Sequence, residues 1–375
     1  MAPTEVRGRL VLHDRVAPGR VSVADGSIVG VEASEVSDAD SDLPVVAPGF
    51  IDLHVHGWGG HSAMGDRAAL DGMARALVRR GVTAFLPTAV TAPVEALAAF
   101  AERVRGWAPS APDDGAEPLG FNLEGPFLAP SRRGAHAEAY LRTPADVPDT
   151  ALGPLLDGLR VVTIAPELPG ATALIARLAA RGVAVSLGHS AASLAEARAG
   201  YDAGARSTTH LFNAMSGVDH RAPGLAVAAL LEDRVWVELI ADGIHVDAGL
   251  WPLIGRTKPA DRLLLVSDAL PLAGTGDGRG RIGSLEVEVA GDRATLAGTQ
   301  TLAGSVIALD TAVRNLVGSG APLPEAVAAA SANPAALLGL TDRGRLAEGL
   351  RADLVELDSD LRVRRVMRRG DWVER

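Results

Sequence analysis

The chain has 375 residues, 47% of them hydrophobic, and a net charge of −10. That length suits one large α/β barrel with an appendage, and the acidic balance argues against a nucleic-acid partner, which selects a basic face. Cysteine is absent, so any metal must rest on histidine and carboxylate.

The first segments, RGRLVLHD, GRVSVAD and SIVGVEA, read as short strands with no helical period. The start, MAPTEVRGRLVLHDRV, carries no signal-like apolar region, and no stretch reaches the ~20 apolar residues of a membrane span. A soluble cytoplasmic protein with no membrane partner is therefore expected. The far end, ADLVELD, LRVRRVM and GDWVE, is again strand-like. Chain ends often lie close together. The pattern predicts a small β-sandwich domain built from residues 1–47 and 344–375.

Residues 48–343 alternate. Strand candidates are GFIDLHV, VTAFLPT, LGFNLE, RVVTIAP, VAVSLGH, STTHLF, VWVELIA and RLLLVSD. Ala-rich helical stretches such as AALDGMARALVRRG and VEALAAFAERVRG separate most of them. Eight such strands predict a (β/α)8 TIM-like barrel. The Gly-rich LAGTGDGRGRIGS and the strand-like EVEVAGDRATLAG then read as a hairpin excursion. Helices resume at SVIALDTAVRNLVGSG and PLPEAVAAASANPAALLG.

The chemistry falls at strand ends. His54 and His56 end the first barrel strand and Glu124 the third. His189 ends the fifth and His210 the sixth. His245 lies just past the seventh, and Asp268 ends the eighth. In such a barrel the C-terminal strand ends form the active-site mouth. One histidine near a strand end is more often a satisfied polar side chain than a ligand. Several imidazoles and two carboxylates at one mouth need a cation to organise them. Glu124, alone before Gly125-Pro126, is then a metal ligand, and the donor set suits zinc or ferrous iron. His54 and His56 stand two apart on a strand, so both rings can serve a second metal position. Asp268 is suited to accept a proton from metal-acidified water.

PGFIDLHVHG, LEGPF, RRGAH, LGHS, THLFNAM, RAPG, DGIHV, VSDA and LAGS occur here in order. In this the chain resembles the N-acetylglucosamine-6-phosphate deacetylases of the amidohydrolase superfamily, over nearly its whole length. The resemblance implies a hydrolase of amino-sugar metabolism that removes the N-acetyl group of N-acetylglucosamine 6-phosphate. It implies Glu124, His189 and His210 as main metal ligands, with one or two ions per subunit, and Asp268 as general acid/base. It implies that His136 steadies the oxyanion. Asn213, Ala214, Leu302, Ala303 and Gly304 would contact the substrate, and Arg221 would bind its phosphate. His245 would reach the neighbouring site of a homodimer.

The chain departs from the family at the mouth. Ala222 stands where the family often has Glu, His220 is additional, and Arg132-Arg133 replace a Lys before GAH. Some relatives lack His-x-His and use one metal. Deacetylation of N-acetylgalactosamine 6-phosphate and a cyclic-amidase activity are the alternatives. Cyclic amidases commonly carry a carboxylated lysine as bridging ligand, and no lysine marks a strand end here. His13 is expected to be structural or exposed, and His61 either to close over the site or to cap a loop.

Overall fold

The computed structural model describes residues 3–35 and 42–374; residues 1, 2, 36–41 and 375 of the expected terminal domain lie outside the described residues. Strands from both chain ends form one seven-stranded sheet. Thr4–Val11 pairs antiparallel with Val16–Ala24 and parallel with Val45–Pro48, and Val45–Pro48 pairs antiparallel with Leu354–Leu357. Alternating apolar residues explain the pairing. Val6, Leu10, Val21 and Val23 from the N-terminal strands pack with Val46, Leu354 and Met367 in a cluster of their own. Glu117, at the barrel's edge, ties the two parts together through Arg343 at 3.1 Å, Arg351 at 2.6 Å and Arg369 at 3.3 Å.

Eight parallel strands form the barrel: Phe50–Val55, Val82–Ala89, Phe121–Glu124, Leu159–Ile164, Ala184–Leu187, Ser207–Thr208, Trp236–Leu239 and Leu263–Leu265. Closure comes just beyond the eighth strand. Asp268 N–H donates to the His54 carbonyl at 2.8 Å, and His56 N–H to the Ala269 carbonyl at 2.9 Å. One apolar cluster joins Ile51 and Leu53 of the first strand to Ala84, Leu86, Val161, Ala184 and Leu264. Strands so far apart around the ring meet only across its axis, so these residues fill the barrel. Helices such as Arg67–Val78 and Val94–Trp107 cover the outside with Leu70, Met73, Leu77, Leu97, Phe100 and Val104.

The excursion after the eighth strand is a three-stranded antiparallel sheet, Gly278–Ile282, Leu285–Ala290 and Arg293–Leu296. The last predicted helix divides into Leu323–Ala329 and Ala332–Leu337. Pro334 explains the division: it fits the first turn of a helix, where its missing N–H is not needed, but not an interior. Among the described residues, no helix is long and apolar enough to cross a membrane.

Candidate active site

The strand ends deliver their residues through sharp turns. His189, His210 and Asp268 have positive φ, at 46°, 27° and 49°. Non-glycine residues rarely adopt that conformation, and such strain concentrates at functional sites. Gly125 has φ 96°. A Cβ there would lie 2.1 Å from Thr91 Oγ1. Glycine therefore lets Thr91 close over the third strand, where its hydroxyl donates to the Glu124 carbonyl at 3.2 Å.

Glu124 is the centre. It is 3% exposed and faces five imidazoles. Its Oε1 lies 3.0 Å from His189 Nε2 and 2.9 Å from His210 Nε2. Its Oε2 lies 3.1 Å from His56 Nε2, 3.1 Å from His136 Nε2 and 3.5 Å from His54 Nε2. Asp268 Oδ1 lies 3.1 Å from His56 Nε2 and 3.6 Å from His54 Nε2. The two Glu124 oxygens thus face two groups of histidines, and Asp268 joins the second.

Hydrogen bonds on the outer ring nitrogens fix which rings can ligate. His56 Nδ1 lies 3.1 Å from the Thr88 carbonyl, and His189 Nδ1 2.8 Å from the Arg132 carbonyl. Both must donate there, so in the neutral ring the lone pair lies on Nε2, turned toward Glu124. His136 is the opposite case. Its Nδ1 accepts from Thr91 N–H at 3.2 Å, so the neutral ring carries its proton on Nε2. In that tautomer His136 turns a donor toward Glu124 Oε2, although the same ring also stands with Glu124 and His189 in a group whose ligand atoms lie within 4.8 Å of one another.

The residues fit a divalent cation. His54 Nε2 is buried, has no hydrogen-bond partner and faces two carboxylates. The ligand atoms of His54, His56, Glu124 and Asp268 all lie within 4.8 Å of one another. Electrostatics give the same demand for positive charge. Burial pushes the Asp268 carboxyl up, but His54 and His56 outweigh it and hold it down at about 2. Burial lowers His56, yet Asp268 and Glu124 raise it to about 9. For His189 burial wins over Glu124, and its pKa falls to about 4. Two buried carboxylates want a cation close by.

A cavity of about 340 Å³ opens above the cluster. His56, Glu124, His136, His189, His210, Asn213, Ala214, His245, Asp268, Leu302 and Gly304 line it. Gly304 is needed there, because a Cβ on it would meet the Asp268 carbonyl at 2.7 Å. His54 is fully buried beneath the lining. Ala303 is also buried and outside the lining; it packs with Ile282, the excursion's contribution to the cavity wall.

The two residues expected at the phosphate stand apart from one another. His245 lines the cavity of its own chain. Asp242 holds it there: Oδ2 lies 2.6 Å from His245 Nδ1, and Oδ1 accepts from Ile244 N–H and His245 N–H at 2.8 Å. Arg221 is exposed and outside the lining. Its backbone N–H donates to Asp219 Oδ1 at 2.8 Å, which turns the loop.

His61 packs its ring against Gly72 of the helix Arg67–Val78 and does not line the cavity. His13 and His220 are exposed. Sequence reasoning missed Thr91, Asp242 and Glu238; it placed Arg132 at the mouth but not its carbonyl behind His189. Glu238 in VWVELIA gave the same signal as Glu124, a lone carboxylate in an apolar strand.

Comparison with known proteins agrees with this geometry. Residues 45–373 match the Amidohydrolase family. The chain is 40% identical to N-acetylglucosamine-6-phosphate deacetylase of Bos taurus, over 98% of this chain and 93% of the relative. It is 39% identical to N-acetylgalactosamine-6-phosphate deacetylase of Escherichia coli O157:H7, over 94% and 93%. Among solved structures, N-acetylglucosamine-6-phosphate deacetylase of Thermotoga maritima superposes with a TM-score of 0.91 at 34% identity, covering 99% of this chain and 100% of that one. A variant of the Mycobacterium smegmatis N-acetyl-D-glucosamine-6-phosphate deacetylase, in complex with N-acetyl-D-glucosamine-6-phosphate, superposes with a TM-score of 0.89 at 38% identity, covering both chains fully.

Proposed function

The chain belongs to the amidohydrolase family, and we propose on that premise that it hydrolyses N-acetylglucosamine 6-phosphate to glucosamine 6-phosphate and acetate. The observation that carries the reading is Glu124 divided between two histidine groups, with Asp268 ionised beside the second. Glu124, His189 and His210 would hold one ion. His54 and His56, with Glu124 and Asp268, would hold a second. Zinc or ferrous iron, bound there, would polarise the amide carbonyl and acidify water.

The chain's own residues do the rest. Asp268 accepts the proton of the attacking water. As the amide carbon becomes tetrahedral, charge builds on the carbonyl oxygen, and the Nε2–H of His136 donates to it. The amine is a poor leaving group, so it must depart protonated. Asp268, now carrying the proton, delivers it to that nitrogen. Asn213, Ala214, Leu302 and Gly304 hold the sugar on the cavity wall.

For the phosphate, His245 serves its own subunit. Arg221, exposed and without an acidic partner among the described residues, is free to reach the site of a second copy. The proposed homodimer exchanges that arginine. Its place in the cell is proposed to be the cytoplasm.

A cyclic-amidase activity is disfavoured. The chain's one lysine, Lys258, donates Nζ to the carbonyls of Ala229 and Glu232 at 3.0 and 2.7 Å and does not line the cavity. N-acetylgalactosamine 6-phosphate, which the Escherichia coli relative's name carries, is the second substrate to assay. Parallel kcat/KM measurements on the two sugar phosphates decide: a higher value on the gluco substrate supports the reading, and a higher value on the galacto substrate replaces it.

A further inference from the structure

Glu238 lies in the seventh barrel strand between Val237 and Leu239 and is 1% exposed. A buried carboxylate is costly unless its oxygens are met by donors. Two donors converge on one oxygen. Glu238 Oε2 lies 3.2 Å from His54 Nδ1 and accepts from His210 N–H at 3.2 Å. It does not line the substrate cavity.

We propose that Glu238 is a positioning residue that sets His54, and with it the backbone of His210, to present ring nitrogens to a divalent cation. The proposal rests on the metal-dependent reading above. A backbone N–H can only donate, so Oε2 is an acceptor, and the His54 ring must turn its Nδ1–H toward it. The lone pair then lies on Nε2. That atom has no hydrogen-bond partner and lies 3.5 Å from Glu124 Oε2 and 3.6 Å from Asp268 Oδ1. His56 and His189 rest on neutral backbone carbonyls. At His54 the acceptor behind the ring is a side chain that also holds His210 N–H.

The same oxygen reaches the other side of the cluster. His210 takes a strained φ of 27° and places Nε2 2.9 Å from Glu124 Oε1. Its N–H is fixed by Glu238. One residue of the seventh strand thus sets groups from the first and the sixth, on both sides of Glu124. A carboxylate needed only for packing has no reason to sit in an apolar strand, where a leucine would do.

Two variants separate positioning from bulk. Glu238→Gln keeps an oxygen that accepts both bonds, and Glu238→Leu removes it. Metal content and affinity are read by chelator competition with Zn²⁺, and folding of the metal-free proteins by circular dichroism and melting. Nitrogen-15 NMR of the histidine rings, in the wild type and the Gln variant, reads the His54 tautomer directly. The expected result is Zn²⁺ affinity within about threefold of wild type for the Gln variant and a loss of about tenfold or more for the Leu variant. In the Zn²⁺-loaded wild type and Gln variant the His54 proton is expected on Nδ1. Wild-type affinity in Glu238→Leu, equal losses in both variants, or a His54 proton on Nε2 would overturn the proposal. If Glu238→Leu does not fold, the Gln variant's affinity and tautomer decide. Failure to deacetylate the sugar would leave these affinities intact, so it would count against the substrate and not against Glu238.

Discussion

The backbone N–H of Thr91 donates to Nδ1 of His136 at 3.2 Å, across a sequence separation of 45 residues. That bond distinguishes His136 from the other four imidazoles around Glu124. With Nδ1 accepting, the neutral ring carries its proton on Nε2, 3.1 Å from Glu124 Oε2, and donates there. Replacing His136 by alanine should therefore leave Zn²⁺ stoichiometry unchanged while kcat falls about 10²–10³-fold, the range for loss of one oxyanion donor. Elemental analysis beside kinetics checks this. Metal lost in proportion to activity would make His136 a ligand instead.

Asp268 combines an ionised carboxylate with a place beside the histidine cluster. Asp268→Asn keeps the shape and one acceptor oxygen but cannot take up the water proton. Turnover should drop by about 10²–10⁴-fold, the usual contribution of a positioned acid/base, with the ion at Glu124, His189 and His210 retained. A variant with a near-normal rate would remove Asp268 from the mechanism.

The exchange of Arg221 between subunits predicts complementation. Arg221→Ala should raise KM for the sugar phosphate far more than for unphosphorylated N-acetylglucosamine. Mixed with Asp268→Asn subunits, it should regain activity, because one site of each mixed dimer has both an intact Asp268 and a partner arginine. Mixtures no more active than the sum of the two variants would return Arg221 to its own subunit or remove it from the reaction.

Lys258 offers a pH prediction away from the site. Burial pushes its amine down to about 8, against the pull of Asp233. Below about pH 8 both folded and unfolded chains hold the proton, and the folded state bears the full cost of the buried ammonium. Between about 8 and the unfolded value near 10.4 the unfolded chain binds the proton more tightly, so the Lys258 contribution to stability rises with pH. As the one lysine of the chain, it gives a single lysine signal in a carbon-13-labelled sample. Its Cε resonance should titrate near pH 8, and a midpoint near 10 would contradict the burial argument.

The ring of strand ends was legible because a βα barrel converts order along the chain into position around one mouth. Glu124, His189, His210 and Asp268 could be placed from spacing alone. What supports them was not legible. Glu238 meets His54 across 184 residues, and no local pattern encodes that contact. Asp242 was passed over although it stands three residues before His245. The helix Leu225–Leu231, LAVAALL, has no polar face and so shows no 3.6-residue period. The strand expected in STTHLF shortens to Ser207–Thr208, because the chain must turn at His210 to aim its ring inward. The placement of Arg221 and His245 depends on loop paths, which spacing does not set.

The most direct test is acetate release from N-acetylglucosamine 6-phosphate by the purified protein, before and after chelation and again after adding Zn²⁺ or Fe²⁺. Chelation should abolish release and added metal restore it, and release should be much weaker on the unphosphorylated sugar. Release that survives complete metal removal, or none from protein with metal bound, would contradict metal-dependent deacetylation.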